Sequence, residues 1–301
     1  MKMVNQYDVI IIGGSYSGLS SAMALGRSLR KVLVVDHGKP CNRYTPHSHN
    51  FITQDGETPY HIYQKAKSQV LAYPTVDLKE DKVLTVSKTE DGFEAKTLND
   101  SFFAKKIILA TGIKDVFPEI KGFEDCWGKS ILHCPYCHGY EVQNQQIAVV
   151  GNGDIGYDFA KLIYQWSSNI VLLTDGKSTL SDEQASKLYS KGIRVIENTI
   201  EEYNHSEGQV TYIKLSEGME LSVDAVFARI PFQQSTSFAE DLGCNMLPSG
   251  YVQVDEMQRT SVQGVYAVGD STSMMRSVSV AVATGTKAGA MVNKELIEEE
   301  F

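Results

Sequence analysis

Tyr7-Asp8-Val9-Ile10-Ile11-Ile12-Gly13-Gly14-Ser15-Tyr16-Ser17-Gly18 is the stretch on which the fold turns. Its short β-branched run reads as a strand buried in a parallel sheet. It leads straight into glycines. An alanine- and leucine-rich helix is expected from about Ser17 to Leu29, then a strand over Lys31 to Val35 that ends at Asp36. Glycine at the turn lets the backbone approach a pyrophosphate, the helix N-terminus faces it, and the terminal acid binds a ribose hydroxyl. One position departs from the pattern: Ser15 replaces the middle glycine of G-x-G-x-x-G. Serine is small, so close approach survives. A bare glycine motif is often only a tight turn, but here strand, helix and acid accompany it. Asp36 suits the unphosphorylated ribose of FAD or NAD over that of NADP.

A second unit of the same kind lies further along. Ile147 to Val150 is a strand, Gly151-Asn152-Gly153-Asp154-Ile155-Gly156 is a complete G-x-G-x-x-G, Tyr157 to Trp166 is a helix and Ile170 to Leu173 the second strand. The expected fold class is α/β, with two Rossmann-like three-layer domains. After Leu173 the chain reads Thr174-Asp175-Gly176-Lys177. A 2′-phosphate needs cations at this place. Only Lys177 is available, and Asp175 would repel the phosphate. The second site therefore uses NADH, uses NADPH poorly, or is a scaffold kept for its shape.

Between the two units stands Leu132-His133-Cys134-Pro135-Tyr136-Cys137-His138-Gly139-Tyr140-Glu141. The spacing lets Cys134 and Cys137 meet across one turn as a disulfide. Exchange is carried by the thiolate, and a nearby imidazole stabilises it or hands it protons. Three readings compete: a redox disulfide, a zinc site built from H-C-x-x-C-H, and two ordinary buried thiols. Structural zinc usually draws on two separated ligand pairs, and no second pair exists here. Adjacent His133 and Cys134 would also have difficulty reaching one tetrahedral centre. Redox is preferred. His138 is the best general acid–base candidate because an unperturbed imidazole titrates near neutrality, with Glu141 second.

Bulk properties exclude some classes. The 301 residues suffice for two domains, and 42% apolar with 22% charged residues is ordinary for a globular chain. A net charge of −9 argues against nucleic acid or an anionic membrane as partner. The first apolar run, Val9 to Ile12, is too short for a signal peptide or a span. Five cysteines with one close pair do not make a secreted disulfide scaffold, so a cytoplasmic protein is expected.

The remaining chain fits this frame. His47 to Gly56 is a polar loop, and His47, His49 and His61 read more as loop and surface groups than as metal ligands. A helix is expected over Glu57 to Tyr73. An antiparallel meander follows at Lys82 to Lys88, Gly92 to Thr97 and Phe102 to Phe103, and a separate buried strand at Lys106 to Leu109 ends in Ala110-Thr111-Gly112. Val116 to Gly122 and Pro231 to Ser237 are the expected crossovers between domains. Strands are expected at Arg194 to Ile196, Val210 to Leu215 and Ala225 to Ala228. Gly264 to Asp270 is a strand ending in glycine and acid. Val278 to Glu298 is one long helix whose small residues (Ala281, Ala283, Gly285, Ala288, Gly289) would pack against a cofactor, and Glu298 to Glu300 reads as a solvated tail.

The order of I-I-G-G-S-Y-S-G, A-T-G, C-P-Y-C, G-N-G-D-I-G and Y-A-V-G-D resembles the low-molecular-weight thioredoxin reductases along the whole chain. The resemblance implies FAD in a discontinuous first domain, residues 1–117 and 236–301, with the dithiol carried on an inserted second domain, 118–235. It also implies a homodimer. Carried over, Gly13, Gly14, Ser15 and Gly18 would hold the pyrophosphate, Asp36 the adenosine ribose, and Gly269 with Asp270 the ribityl chain. Asn50, Thr111, Gly112 and Val278 would lie near the flavin. Gly151, Gly153, Gly156 and Asp175 would mark the nicotinamide nucleotide site. Cys137 would face the flavin, and Cys134 would exchange with a thioredoxin-like protein or a small-molecule disulfide or dithiol.

Two departures matter. The family places an aspartate after the second cysteine, where His138 stands. It also places a histidine–arginine cluster where Asp175-Gly176-Lys177 stands. The run C-H-G-Y-E is similar instead to the dithiol oxidases of the gliotoxin and holomycin pathways. Those pass electrons from a dithiol through FAD to oxygen. Three functions are expected in that order: an FAD-dependent disulfide oxidoreductase, an oxygen-linked dithiol oxidase, and a non-catalytic metal-binding protein.

Overall fold

The structure is a computed structural model and describes residues 5–301. The chain divides into two compact units. One holds the chain up to Arg43, Pro59–Lys114 and Phe232–Phe301; the other holds Tyr44–Thr58 and Asp115–Pro231. The crossovers fall a few residues from the expected 117 and 235. The polar loop after Arg43, expected in the first unit, groups with the second because its contacts lie there: Tyr44 on Phe117 and His49 beside His138.

In chain order the first unit opens with β1 (Gln6–Ile12), α1 (Tyr16–Arg27), β2 (Val32–Asp36), α2 (Pro59–Val70), β3 (Val76–Glu80), β4 (Thr85–Thr89), β5 (Gly92–Lys96), β6 (Ser101–Leu109) and β7 (Ile113–Asp115). β3, β2, β1 and β6 are parallel neighbours; β5 continues the sheet antiparallel to the first half of β6, and β4 pairs antiparallel with β5. Alternation sorts the apolar run of β1. Ile10 and Ile12 join Leu33, Ile107 and the meander's Phe93 on one face, while Val9 and Ile11 meet Leu19, Ala22 and Leu25 of α1 on the other. A strand covered on both faces has no polar position, which is why this stretch reads as continuous.

The second unit contains α3 (Phe123–Cys126), β8 (Ile131–Leu132), α4 (Pro135–His138), β9 (Ile147–Val150), α5 (Gly153–Ile163), β10 (Ile170–Leu173), α6 (Asp182–Ser190), β11 (Arg194–Ile196), β12 (Ile200–Ser206), β13 (Gln209–Leu215), β14 (Glu220–Ser222) and β15 (Ala225–Ala228). Its parallel sheet runs β11-β10-β9-β15-β8, and β12-β13-β14 form a separate antiparallel sheet. The chain then returns to the first unit through β16 (Phe232–Gln234), α7 (Phe238–Asp241), β17 (Val265–Ala267) and α8 (Val278–Glu300). β17 joins the second half of β6 in parallel.

Several expectations need correction. Val76–Glu80, where the sequence predicts no element, is an edge strand whose outer positions carry charge. β12 was missed because two register shifts break its alternation. The expected strands at 102–103 and 106–109 are one strand. Lys105-Lys106 looks like a break in the sequence, yet Lys106 is buried, with Nζ 2.5 Å from Glu299 and 3.5 Å from Glu295. The acidic end is accordingly not a solvated tail: α8 runs to Glu300, whose carboxylate accepts from Arg30 at 2.6 Å and from Lys105 at 2.7 Å.

The small residues of α8 serve helix packing. Gly285 and Gly289 lie on α1, where a Cβ on Gly285 would overlap the Ser17 carbonyl oxygen and one on Gly289 would stand 2.7 Å from that of Ser21. The Ser20 and Ser21 hydroxyls donate to the carbonyls of Val282 and Gly285, each at 2.9 Å. Gly285→Ala gains about 1 kcal/mol of helix propensity. Overlap with a fixed backbone oxygen outweighs that gain, because no rotamer change relieves it. The expected net effect is a loss of about 1–3 kcal/mol in denaturant unfolding; a stabilised variant would contradict this contact.

Candidate active site

The first glycine loop leaves β1 and enters α1. Gly13 has φ +103°, and a Cβ there would collide with the Ala110 carbonyl. A side chain on Gly18 would collide with the Gly13 carbonyl, and one on Gly14 would stand 2.8 Å from Asp36 Cβ. The cradle is thus closed to side chains from within, so that backbone lines it. Ser15 sits at the N-cap of α1 and makes no capping hydrogen bond. A helix start whose amides are not taken by its own cap fits a pyrophosphate. The pairings Ile12 to Leu109 and Leu109 to Ala267 bring the ends of β1, β6 and β17 side by side. Gly13–Gly18, Asp36, Thr111, Gly112, Gly269 and Asp270 therefore gather at the carboxyl edge of one sheet, where open α/β sheets take ligands. Arg276 Nε lies 3.9 Å from Asp270 Oδ2, and Val278 begins α8. Asn50 belongs to the loop of the second unit, exposed, with φ +59°.

The second glycine loop also joins a strand to a helix, but a side chain occupies its turn. Asn152 caps α5: its Oδ1 accepts from the amides of Gly153 and Thr179, both at 2.8 Å, and from Thr179 Oγ1 at 3.1 Å. Its Nδ2 donates to the Lys177 carbonyl at 2.9 Å. One side chain thereby ties residues 177–179 across the start of the helix, and a Cβ on Gly153 would lie 2.9 Å from Thr179 Oγ1. Asp175 is exposed, but its Oδ1 accepts from the Ile200 amide at 2.7 Å.

Cys134 and Cys137 form a disulfide with Cα atoms 5.3 Å apart. Cys134 is the N-cap residue of α4 and Pro135 its first residue, a position where the missing amide is no loss. Gly139 closes the turn, and a Cβ there would stand 2.5 Å from the Pro135 carbonyl oxygen and 2.8 Å from the Trp166 ring. The metal reading fails on this arrangement. Both sulfurs are consumed, and His133 lies stacked on Trp127 with ring centres 5.8 Å apart. Among the described residues no three His, Cys, Asp or Glu side chains cluster for a metal.

His138 stands in this turn beside Cys137, but its pKa is not the near-neutral one expected. Burial, followed by the charge of His49, pushes it down to about 4. At neutral pH it is an uncharged imidazole, able to accept a proton and poorly able to store one. The neighbour responsible reads in the sequence only as a loop and surface group. His49 packs edge-on against His138, ring centres 6.5 Å apart, with its Nδ1 3.5 Å from Glu141 Oε1 and 3.9 Å from Asp55 Oδ1. The only sequence signal was the density of polar groups in its loop.

Two glycine-looped α/β units and a C-x-x-C disulfide define a flavin- and nucleotide-type disulfide oxidoreductase. The family model described as pyridine nucleotide-disulphide oxidoreductase matches residues 7–285, and the chain belongs to that family. It is 31% identical over 311 residues to thioredoxin reductase tcpT of Claviceps purpurea, covering 99% of this chain and 97% of that one. Among solved structures it is similar to an oxidoreductase from Agrobacterium tumefaciens (33% identical, TM-score 0.91, covering 97% and 99% of the two chains). It is also similar to HlmI (30%, TM-score 0.92, 98% and 94%). The chain is an FAD-dependent oxidoreductase of thioredoxin-reductase type. Among the described residues no helix is long and apolar enough to cross a membrane.

The depressed His138 pKa carries a stability signature. The unfolded chain binds this proton near pH 6.5, the folded protein only near 4, so protonation between those values favours unfolding. Stability owed to the neutral ring is full above about pH 6.5 and is lost as pH falls toward 4, by about 1.4 kcal/mol per pH unit at most. His138→Gln removes that slope. Unfolding free energies from pH 7 to 4.5 should fall more steeply in the wild type; parallel curves would refute the buried neutral imidazole.

Proposed function

We propose that the protein exchanges electron pairs between FAD and an external disulfide or dithiol through Cys134 and Cys137. The carrying observation is the disulfide across the first turn of α4 with a half-buried, neutral imidazole beside it. Gly13, Gly14, Ser15 and Gly18 hold the FAD pyrophosphate, Asp36 the adenosine ribose, and Gly269 with Asp270 the ribityl chain. Asn50, Thr111, Gly112 and Val278 border the flavin. Bound FAD supplies two-electron storage. Cys134 is the sulfur that meets substrate, Cys137 the inner sulfur that leaves as thiolate, and His138 the base that takes a substrate thiol's proton. The substrate is a thioredoxin-like protein or a small dithiol or disulfide. The working form is a cytoplasmic homodimer.

Residues of the second glycine loop favour a second reading of the electron donor. Asn152 Oδ1 accepts from the Gly153 amide and Asp175 Oδ1 from the Ile200 amide, two groups that would otherwise be offered to a nicotinamide nucleotide, and Asn152 also ties Lys177 and Thr179 across the helix start. In that reading a dithiol is the donor and oxygen the acceptor.

Anaerobic mixing of the yellow holoenzyme with NADH, NADPH or a dithiol separates the readings. Bleaching of flavin absorbance by a nucleotide supports the reductase direction; bleaching by dithiol alone supports the oxidase. Cys137→Ser should keep its FAD and lose exchange by about 10³-fold or more. Unchanged turnover would remove Cys137 from the mechanism.

A further inference from the structure

We propose that His49 relays protons for the Cys134–Cys137 exchange, acting through His138 and opening toward solvent by way of Glu141 and Asp55. The proposal rests on the dithiol–disulfide function above.

The geometry is built, not incidental. His49 lies on a loop closed on itself. The Ser48 amide donates to the Glu57 carbonyl at 2.8 Å and the Gly56 amide to the Ser48 carbonyl at 2.9 Å. Asp55 Oδ1 accepts from the Asn50 amide at 2.7 Å, which fixes the carboxylate next to the histidine. His47 Nδ1 is held 2.9 Å from the Gly56 carbonyl, and its ring lies 6.5 Å from that of His49. The titratable groups facing His49 are thus His47, Asp55, His138 and Glu141. The planes of the two histidine rings lie nearly at right angles, 85°, and His49 Nδ1 faces two carboxylates. The exposure rises in order: the His49 side chain is 22% exposed, Glu141 39% and Asp55 69%.

The chemistry needs such a path. A substrate thiol loses its proton to His138, and its sulfur bonds to Cys134 Sγ. The Cys134–Cys137 bond breaks, and its electron pair leaves on Cys137 as thiolate. The second substrate thiol then attacks the mixed disulfide. The substrate leaves as a disulfide, and Cys134 takes up the second proton as a thiol. One proton therefore remains on a half-buried imidazole that holds it poorly, and it must reach water before the next turnover. His49 adjoins both that ring and the two carboxylates. In the opposite direction the same path brings the proton in. A histidine beside carboxylates is suited to pass a proton between a neighbouring group and water.

The test is anaerobic single-turnover reduction of the holoenzyme by dithiothreitol from pH 5.5 to 9, for wild type, His49→Gln and Glu141→Gln. His49→Gln should slow exchange about 10- to 100-fold with FAD content and the dithiol concentration for half-maximal rate unchanged. It should lose one limb of the pH–rate profile, and added imidazole should restore part of the rate. Glu141→Gln should shift that limb the same way with a smaller loss, and it keeps the test alive if His49→Gln does not fold. Wild-type rates and profiles in the variants would overturn the relay. So would a uniform loss with an unchanged profile and no imidazole rescue, since that marks a structural role. A wild type inert to every dithiol and disulfide would instead defeat the parent function, and the relay with it.

Discussion

The first amides of a helix that follows a buried parallel strand need acceptors, and this chain answers that need in two opposite ways. At α1 the cap residue is Ser15, and it makes no capping bond; the backbone there is kept bare by Gly13 and Gly18, each of which has no room for a side chain. At α5 the cap residue is Asn152, and its amide takes up the start of the helix together with the loop beyond β10. The same supersecondary unit thus gives one cradle shaped for an anionic ligand and one satisfied internally.

The disulfide turn depends on a different constraint, the exclusion of water from an imidazole. Cys134, Pro135 and Gly139 set α4 so that His138 follows Cys137 directly, and burial together with His49 keeps the ring uncharged. A neutral imidazole offers a lone pair to a thiol proton, and the burial that keeps it neutral also makes it release that proton readily. The loop that carries His49 is held by its own backbone bonds and by Asp55, so the histidine pair is positioned by rigid neighbours.

Legibility followed periodicity. β1, β2, β9 and β10 were readable because both of their faces are covered, which leaves apolar runs that no helix or loop shares. β3 and β12 were not, because one is a charged edge strand and the other is bulged. Lys106 misled for a related reason: a buried lysine is tolerated only with partners, and Glu295 and Glu299 lie far along the chain on α8. The small residues of α8 promised close approach to something, but whether to a cofactor or to another helix was settled by the Ser17 and Ser21 carbonyls.

By itself the amino-acid order determined the two βαβ units, the C-x-x-C between them and the class of chemistry they serve. Those signals are local, carried by glycines, apolar runs and one tight cysteine spacing. Tertiary structure alone decided which glycine loop stays open, why His138 is neutral, and that His49 with Asp55 and Glu141 adjoins it. Those facts are made by burial and by contacts between residues distant in sequence, and neither leaves a pattern along the chain.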